Sequence, residues 1–280
     1  MTETRRAALF RGVECLKPIQ GGGRDASILL QWATNLSAVH LSAYDDDLLT
    51  DEEQARYSDA LKRRLAREPV SHIIGGREFW GRWFQVTPAV LDPRPETEIM
   101  VAAALEKPFA TVLDLGTGSG CLLGTMLSER QNAKGVGVDA SVAALKVAGK
   151  NLANLGVADR ATLQVGDWLQ GVTGAFDLIL CNPPYIAASE MAGLTAELSY
   201  EPQMALTPGG DGLAPYRAIA PLLRDVMTPT GRAMFEIGPT QANDVAAIFA
   251  AAGWGAPEVR KDFDGRDRCL IFSPSAANVR

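Results

Sequence analysis

From Thr111 onward the chain alternates short apolar segments with helix-like segments, and this alternation restricts the possible fold more than any other feature. Strands that alternate with helices predict a mostly parallel sheet covered on both faces, because each crossover returns a helix to the sheet. The last two strand-like segments have no helix between them, which predicts an antiparallel edge. We therefore predict an α/β fold with a seven-stranded sheet. The predicted strands are residues 111–115, 134–139, 161–165, 176–180, 231–237, 256–263 and 267–273.

The N-terminal part of the chain contains helix-like segments and no strand signal. Asp25 is expected to cap the second helix, and Thr50 with Glu53 is expected to form the capping box of the next long helix. Pro69 should end that helix, because a proline lacks a backbone donor and clashes with the preceding turn. We predict a helical bundle over residues 1–68, whose arginines form either a face for a protein partner or a plain solvated surface.

A connector over residues 69–98 joins this bundle to the α/β region. Its aromatic and β-branched residues alternate with glycine and polar residues, which predicts a hairpin linker. The connector ends in PRPETE, where Pro95 suits the first position of a helix and Glu96 and Glu98 suit its positive N-terminus. The α/β domain is then predicted over residues 99–280.

The fourth predicted strand is followed by the tetrapeptide NPPY. Pro183 and Pro184 cannot donate to a sheet, so the strand is expected to end near Cys181. Asn182 precedes a proline and is expected to be extended. The motif therefore holds a side-chain amide and the ring of Tyr185 on a stiff turn beyond the carboxyl end of a strand, where open α/β sheets bind ligands.

This turn suits a planar conjugated NH2 group, such as the amide of glutamine or the exocyclic amine of adenine. The side-chain carbonyl of Asn182 can accept one N–H and the backbone carbonyl of Pro183 the other, while Tyr185 can stack on the flat group. Two fixed acceptors would direct the nitrogen lone pair at an electrophile. A proline-terminated surface loop is the alternative for so short a motif. The residues predicted to be catalytic and to bind substrate are Asn182, Pro183, Pro184 and Tyr185.

A glycine-rich loop, DLGTGSG, follows the first predicted strand and precedes a helix. Glycines allow a sharp turn and a close approach of the backbone to a ligand. The spacing is not that of a dinucleotide fingerprint, because Cys121 occupies the position of the third glycine, and no phosphate-binding lysine follows. The loop residues predicted to bind a cofactor are Asp114, Gly116, Thr117, Gly118, Ser119 and Gly120.

Acidic and aromatic residues follow the next two strands. Asp139 ends the second strand, where a carboxylate can accept both hydroxyls of a ribose. Asp167 and Trp168 follow the third strand, where they could bind an adenine amine and stack on its ring. Asn182 borders the same edge of the sheet. A ligand with adenine and ribose but no pyrophosphate fits this set, which predicts S-adenosylmethionine and methyl transfer to nitrogen.

Composition excludes several other classes of protein. The net charge is −6, and such an acidic balance disfavours a protein that binds by neutralising nucleic-acid phosphates. The four scattered cysteines and two histidines indicate neither a disulfide framework nor a metal site, so we expect no metal. The N-terminal sequence lacks the apolar segment of a signal peptide, and no apolar run is long enough to span a membrane, so we expect a cytoplasmic protein.

Six segments resemble, in order and spacing, the release-factor glutamine methyltransferase family (HemK/PrmC), over nearly the whole chain. The resemblance implies a seven-stranded Rossmann-like methyltransferase sheet, a hairpin linker and a small N-terminal helical bundle. It also implies transfer of a methyl group from S-adenosylmethionine to N5 of the glutamine in the GGQ motif of bacterial class 1 peptide-chain release factors. The matching segments are residues 77–81 (REFWG), 93–98 (PRPETE), 114–120, 139, 166–168 (GDW) and 182–186 (NPPYI).

Carried over by position, the resemblance assigns the glycine loop and Asp139 to the cofactor, Trp168 to its adenine, and residues 182–185 to the substrate glutamine. Asp92 departs from the family pattern, which usually has an apolar residue before PRP, and it is expected to affect only the packing of the linker.

Three other functions are compatible with these motifs. NPPY also occurs where adenine N6 is methylated, but the acidic chain has no large basic region to recognise DNA or RNA. A glutamine methyltransferase acting on a ribosomal protein is a close variant. A non-catalytic module that binds the cofactor and a partner is disfavoured by the complete NPPY motif. We therefore expect release factors as partners, and neither a membrane nor direct nucleic-acid binding.

Overall fold

The computed structural model describes residues 3–274 of the chain. These residues belong to two compact units. The first comprises Met1–Gly76 and Thr195–Tyr200, and the second comprises Arg77–Leu194 and Glu201–Arg280. Among the described residues, no helix has both the length and the apolar character required to cross a lipid bilayer.

The first unit is helical, as predicted. Tyr57 is fully buried at its centre, and its hydroxyl donates to the backbone oxygen of Ala26 over 3.1 Å. The predicted capping box is confirmed, because Thr50 and Glu53 each bond the other's backbone N–H. Gly12 packs so closely on Tyr57 that a Cβ there would overlap the tyrosine hydroxyl. The helices are α1 (Arg5–Cys15), α2 (Gly22–Thr34), α3 (Ala38–Ala43), α4 (Asp51–Leu65) and α5 (Val70–Ile74).

Two details of this unit differ from the predictions. The prediction that Asp25 caps the second helix is wrong, because α2 begins at Gly22 with Gly21 as its N-cap. Asp25 lies in the first turn instead, where its carboxylate accepts from the Arg64 guanidinium over 2.7 Å. The short helix α5 lies within the segment predicted as a hairpin linker, and the first unit therefore extends beyond residue 68.

A distant piece of chain completes the first unit. Glu197, in the segment Thr195–Tyr200, accepts from the guanidinium groups of Arg64 and Arg67, each over 3.0 Å. Tyr200 donates its hydroxyl proton to the backbone oxygen of Ala66 over 2.9 Å. The Arg64 side chain is only 7% exposed, and the carboxylates of Asp25 and Glu197 balance its buried charge inside the unit.

The expected hairpin is present, in strands β1 (Gly76–Phe79) and β2 (Arg82–Gln85). Trp80 and Gly81 join them, and both have positive φ angles, as a two-residue hairpin turn of type I′ requires. Pro95 begins a 3-10 turn, Pro95–Thr97, before the helix proper starts at Glu98. PRPETE therefore initiates a helical segment, although its first turn is wound more tightly than expected.

The second unit contains the predicted α/β fold. Its seven-stranded sheet has the order β5-β4-β3-β6-β7-β9-β8. β3 to β7 are parallel, and β8 and β9 form the antiparallel edge. The strands are β3 (Thr111–Leu115), β4 (Lys134–Asp139), β5 (Ala161–Val165), β6 (Phe176–Cys181), β7 (Met227–Glu236), β8 (Glu258–Lys261) and β9 (Asp267–Phe272). The helices are α6 (Glu98–Leu105), α7 (Cys121–Glu129), α8 (Val142–Asn154), α9 (Gln203–Leu206), α10 (Ala214–Ile219) and α11 (Ala242–Ala251).

The sheet separates two hydrophobic cores. Along β6, Leu178 and Leu180 pack into one core, whereas Ile179 and Cys181 pack into the other. This alternation follows from the two-residue period of a strand, and burial of both faces explains why the segment is apolar throughout. Register holds the carboxyl ends together, because Leu115 at the end of β3 pairs with both Val138 and Cys181.

The contact of Gly12 with Tyr57 generates a test of the first unit. We expect Gly12→Ala to lower the free energy of unfolding by about 1–3 kcal/mol, because the added methyl group forces the buried tyrosine to move. Gly23→Ala in α2 is the matched control, since a Cβ there meets only Val13 Cγ1 at 3.9 Å. Chemical denaturation of both variants measures the difference. Equal stability of the two variants would contradict the packing described.

Candidate active site

A cavity of about 480 Å³ opens at the carboxyl edge of the parallel strands, within the second unit. Its volume is in the range of small-molecule sites. The lining comes from the loops after β3, β4, β5 and β6, together with residues 89–97 and 202–218. The predicted site residues in the lining are Gly116, Thr117, Gly118, Ser119, Asp139, Asp167, Trp168, Asn182 and Pro184.

The glycine loop follows β3 as predicted and has a conformation that requires its glycines. Gly116, Gly118 and Gly120 have φ angles of 71°, 54° and 76°, in the left-handed region that side chains disfavour. A Cβ on Gly116 would lie 3.6 Å from the Trp168 ring. Gly120 is not in the cavity lining, and a Cβ there would meet Ala148 at 3.1 Å. Gly120 therefore permits close packing of the loop on α8.

Asp114 lies beneath the loop and is not in the lining either. It is buried, and one carboxylate oxygen accepts from the Thr117 hydroxyl over 2.7 Å and from the Leu123 backbone N–H over 3.2 Å. Burial raises the pKa of Asp114 to about 6, against these two hydrogen bonds, which lower it. In this structure Asp114 fixes the loop to the start of α7.

Asp139 stands at the end of β4 and faces the cavity. Its two carboxylate oxygens accept from the backbone N–H groups of Gly118 and Ser141, each over 2.8 Å. A carboxylate oxygen has more than one acceptor position, so both oxygens keep capacity for a further donor. Asp139 therefore combines two roles, because it links β4 to the glycine loop and offers acceptors to a ligand.

Asp167 and Trp168 follow β5 and also border the cavity. Trp168 has a φ angle of 52°, which is uncommon for a residue with a side chain, and its ring lies beside Gly116. One oxygen of Asp167 accepts from the Gln170 side chain over 3.0 Å. The two residues thus present an aromatic surface and a carboxylate near the loop, as the sequence predicted.

The NPPY motif begins where β6 ends, at Cys181. Asn182 and Pro184 line the cavity, whereas Pro183 is buried and is absent from the lining. Tyr185 is also outside the lining, and it packs against the hydrophobic core with its hydroxyl 3.3 Å from a carboxylate oxygen of Glu236. The structure therefore brings two residues of the motif to the cavity and the other two behind it.

Two residues of this region were missed in the sequence analysis, Thr97 and Glu236. The Thr97 hydroxyl donates to Glu236 over 2.6 Å and accepts from the Asn182 side-chain amide over 3.2 Å. Glu236 is 1% exposed, and burial raises its pKa to about 7. The available signal was a lone carboxylate between the apolar residues Phe235 and Ile237 of the predicted strand GRAMFEI. Its partner lies 139 positions away, which no local pattern indicates.

Comparison with known proteins agrees with this arrangement. A family model described as the PrmC N-terminal domain matches residues 7–75, and one described as the methyltransferase small domain matches residues 94–214. The chain is 51% identical over 260 residues to a release factor glutamine methyltransferase of Cereibacter sphaeroides, covering 92% of this chain and 94% of the relative. It is 41% identical to one of Rhodospirillum rubrum, covering 91% and 79%. The chain belongs to the release factor glutamine methyltransferase family.

A solved methyltransferase from Pyrococcus furiosus has the same fold, with a TM-score of 0.54, 18% identity, and coverage of 77% of this chain and 98% of that one. The predicted family and fold class are thus confirmed. The chain is a methyltransferase, and its cofactor is S-adenosylmethionine.

The residues around the cavity fit this cofactor. The left-handed glycines leave a cradle that a Cβ would fill, Asp139 offers acceptors for ribose hydroxyls, and Trp168 offers a flat apolar surface. Thr117 and Ser119 add hydroxyl groups at the same loop. When bound, S-adenosylmethionine supplies an electrophilic methyl group on a sulfonium centre.

Asp92, which departs from the family pattern, is accommodated by charge pairing. It is 4% exposed, and the Arg77 guanidinium donates to its carboxylate over 2.8 Å. Its backbone N–H donates to Glu201, whose other oxygen accepts from Arg94 over 2.6 Å. The polar residue therefore belongs to a charged network that holds the PRP segment, and it does not border the cavity.

The position of Asp139 generates a binding prediction. We expect Asp139→Ala to weaken S-adenosylmethionine binding about 10- to 100-fold, because the ribose hydroxyls lose a charged acceptor and the Gly118 N–H loses its partner. Isothermal calorimetry measures the affinity. Asp159→Ala, an exposed residue before β5, is the control. An unchanged affinity of the Asp139 variant would show that the ribose binds elsewhere.

Buried Asp114 generates a pH prediction. Its folded pKa of about 6 lies above its ordinary value of 3.8, so the folded state keeps a proton that the unfolded chain releases. Its contribution to stability is therefore present below about pH 4 and is lost as the pH rises toward 6. Asp114→Asn cannot ionise and should remove this part of the pH dependence. Chemical denaturation at several pH values measures the free energy of unfolding of wild type and of Asp114→Asn. Parallel plots of this free energy against pH would contradict the raised pKa of Asp114.

Proposed function

We propose that this protein transfers the methyl group of S-adenosylmethionine to the side-chain nitrogen N5 of the glutamine in the GGQ motif of bacterial class 1 peptide-chain release factors. The observation that carries the proposal is the position of Asn182, which borders the same cavity as the glycine loop, Asp139 and Trp168. The residue proposed to bind the substrate amide and the residues proposed to bind the cofactor therefore line the same cavity. The relatives named release factor glutamine methyltransferase support the same substrate.

The proposed role of the NPPY motif is to bind and orient the acceptor amide. Asn182 Oδ1 and the backbone oxygen of Pro183 accept its two N–H groups, and this holds the nitrogen lone pair in line with the methyl group. Pro184 and Tyr185 stiffen the turn, and Tyr185 does so from behind the cavity, where its hydroxyl donates to Glu236. The proton leaves after transfer, because the methylated nitrogen is then strongly acidic, so no strong base is required beforehand.

We propose cofactor contacts from all of the predicted residues except Asp114 and Gly120, which do not line the cavity. The loop residues Gly116, Thr117, Gly118 and Ser119 approach the methionine end, whereas Asp114 and Gly120 support that loop from behind. Asp139 binds the ribose. The adenine then lies by Asp167 and Trp168, and Asn182 borders both ligands.

We also propose the division of labour along the chain. Residues 1–68 bind the release factor, residues 69–98 act as the linker, and residues 99–280 catalyse methyl transfer, of which 275–280 lie outside the described part. Separate family models for residues 7–75 and 94–214 support this division. The helical unit also has exposed apolar side chains, such as Phe10 at 67% and Val39 at 77%, which suit contact with a protein.

Release factors act on ribosomes, so we propose a cytoplasmic site of action, with no membrane and no direct nucleic-acid partner. The acidic chain supports a protein substrate over DNA or RNA.

The proposal is tested with radiolabelled S-adenosylmethionine and four acceptors. These are a purified release factor, the same factor with alanine for its GGQ glutamine, ribosomal proteins, and duplex DNA. We expect label only on the first. Label on DNA would support the adenine alternative, label on a ribosomal protein would reassign the glutamine substrate, and cofactor binding without any transfer would support the non-catalytic module.

The role of Asn182 yields a kinetic prediction. Asn182→Ala removes an acceptor that orients the reacting amide, and we expect kcat to fall about 10²-fold or more. Steady-state methylation of the release factor measures this. Asn154→Ala, an exposed residue at the end of α8, should leave kcat unchanged. Near-normal turnover of the Asn182 variant would rule out the proposed role.

A further inference from the structure

Behind the NPPY motif, a buried chain of hydrogen bonds connects three separate parts of the second unit. Glu236 ends β7, Thr97 lies in the 3-10 turn before α6, and Asn182 follows β6. Thr97 is 3% exposed and Glu236 is 1% exposed. The hydroxyl of Thr97 lies 2.6 Å from Glu236 Oε2 and 3.2 Å from Asn182 Nδ2.

The ionised carboxylate sets the direction of this chain. A carboxylate can only accept, so Thr97 must donate its single hydroxyl proton to Glu236. The Thr97 oxygen can then only accept from its other neighbour, so the NH2 group of Asn182 must face Thr97. Were the amide turned over, two oxygens would meet without a proton between them, which is costly in a buried site. Asn182 Oδ1 is therefore directed away from Thr97.

We propose that Thr97 and Glu236 are positioning residues that fix the side-chain amide of Asn182 with its oxygen presented to the acceptor nitrogen. This inference rests on the proposed function, in which Asn182 Oδ1 accepts an N–H of the substrate glutamine. Glu236 does not line the cavity, and Thr97 borders it beside Asn182. They act through Asn182 and restrict it to one of two orientations of nearly equal shape.

The geometry around Glu236 supports a role in ordering the motif. Its second oxygen, Oε1, accepts from the hydroxyl of Tyr185 over 3.3 Å. One carboxylate therefore bonds both Thr97 and the last residue of the NPPY motif. The Tyr216 hydroxyl donates to the Glu236 backbone oxygen over 2.8 Å and fixes the end of the strand. Thr97 is the N-cap of α6, yet its side chain makes no capping hydrogen bond there. Its hydroxyl is thus used for Glu236 and Asn182.

The pKa of Glu236 lies close to neutral pH. Burial raises its pKa to about 7, and Glu96 raises it further, whereas Thr97, Arg268 and Tyr185 lower it. Several tyrosines and cysteines also lie near Glu236. Burial raises the pKa of each, so all of them are neutral at neutral pH. Those groups are Tyr185, Tyr216, Cys121, Cys181 and Cys269.

Protonation of Glu236 removes the constraint. A protonated carboxyl group can donate to Thr97, whose hydroxyl is then free to donate to Asn182 Oδ1, and the amide can turn over. The fraction of enzyme with the productive orientation should therefore fall as the pH drops below about 7. If Glu236 causes this loss of activity at low pH, the loss should disappear in a variant whose residue 236 cannot ionise.

The first test compares three threonine variants in methylation of a release factor. Thr97→Val keeps the branched shape but removes the hydroxyl, and we expect kcat to fall about 10-fold or more, with KM and cofactor affinity within about threefold of wild type. Thr97→Ser restores the hydroxyl and should recover most of kcat. Thr125→Val is the control, because Thr125 is fully buried in α7 and its hydroxyl makes no hydrogen bond to the described residues.

The second test measures the pH dependence of kcat. Wild type should lose activity as the pH falls below about 7, and Glu236→Gln should have a lower kcat at pH 8 and a flat profile across that range. The Thr97→Val enzyme, in which the carboxylate no longer controls Asn182, should be flat as well. Persistence of the same limb in both variants would overturn the inference.

The outcomes separate this inference from the function on which it rests. Wild-type enzyme that fails to label the GGQ glutamine contradicts the proposed function before any variant is assayed. An active wild type with a Thr97→Val variant of equal kcat overturns the positioning role alone. Equal loss of kcat in Thr97→Val and Thr97→Ser, with a lowered melting temperature in both, would mean that Thr97 is only structural and would also overturn it.

Discussion

Backbone hydrogen bonds between β3 and its two neighbours determine where most of the proposed site residues lie. Leu115 pairs with Val138 on one side and with Cys181 on the other, and all three strands run in the same direction. The loops that follow them therefore start from one edge. A shift of either pairing by one residue would turn the side chains of a strand to the opposite face and separate Asp139 from Asn182.

Carboxylates at or below that edge give the loops their shape. Asp114 holds the glycine loop, Asp139 ties it to β4, and Glu236 connects the NPPY segment to the PRPETE segment. Burying a carboxylate opposes folding unless hydrogen bonds compensate, and two of these groups have raised pKa values as a result. These carboxylates therefore fix the conformation of the loops rather than stabilise the fold. A fixed conformation suits a reaction in which the two reactants must be aligned.

Sequence patterns were sufficient for the sheet, the hairpin, the capping box and nine of the residues that line the cavity, since each depends on local order or on where a strand ends. They failed where a distant partner decides the outcome. Asp25 was expected to cap a helix, but α2 begins at Gly22, and the Asp25 carboxylate pairs with Arg64, 39 positions away. Thr97 and Glu236 were missed for the same reason. The ring of Tyr185 lies behind the cavity, because a neighbouring carboxylate holds its hydroxyl.

The segment Thr195–Tyr200 has a consequence for how the chain can be divided. The N-terminal family model ends at residue 75, yet the unit to which it corresponds also contains Glu197, which comes from the loop that follows NPPY. A polypeptide cut after Gly76 would contain Arg64 and Asp25 but would lack Glu197, the second carboxylate that pairs with Arg64. The matching family model is one continuous segment, whereas the helical unit is discontinuous along the chain. Its complete form is therefore available only after the ribosome has synthesised residue 200, well into the second unit.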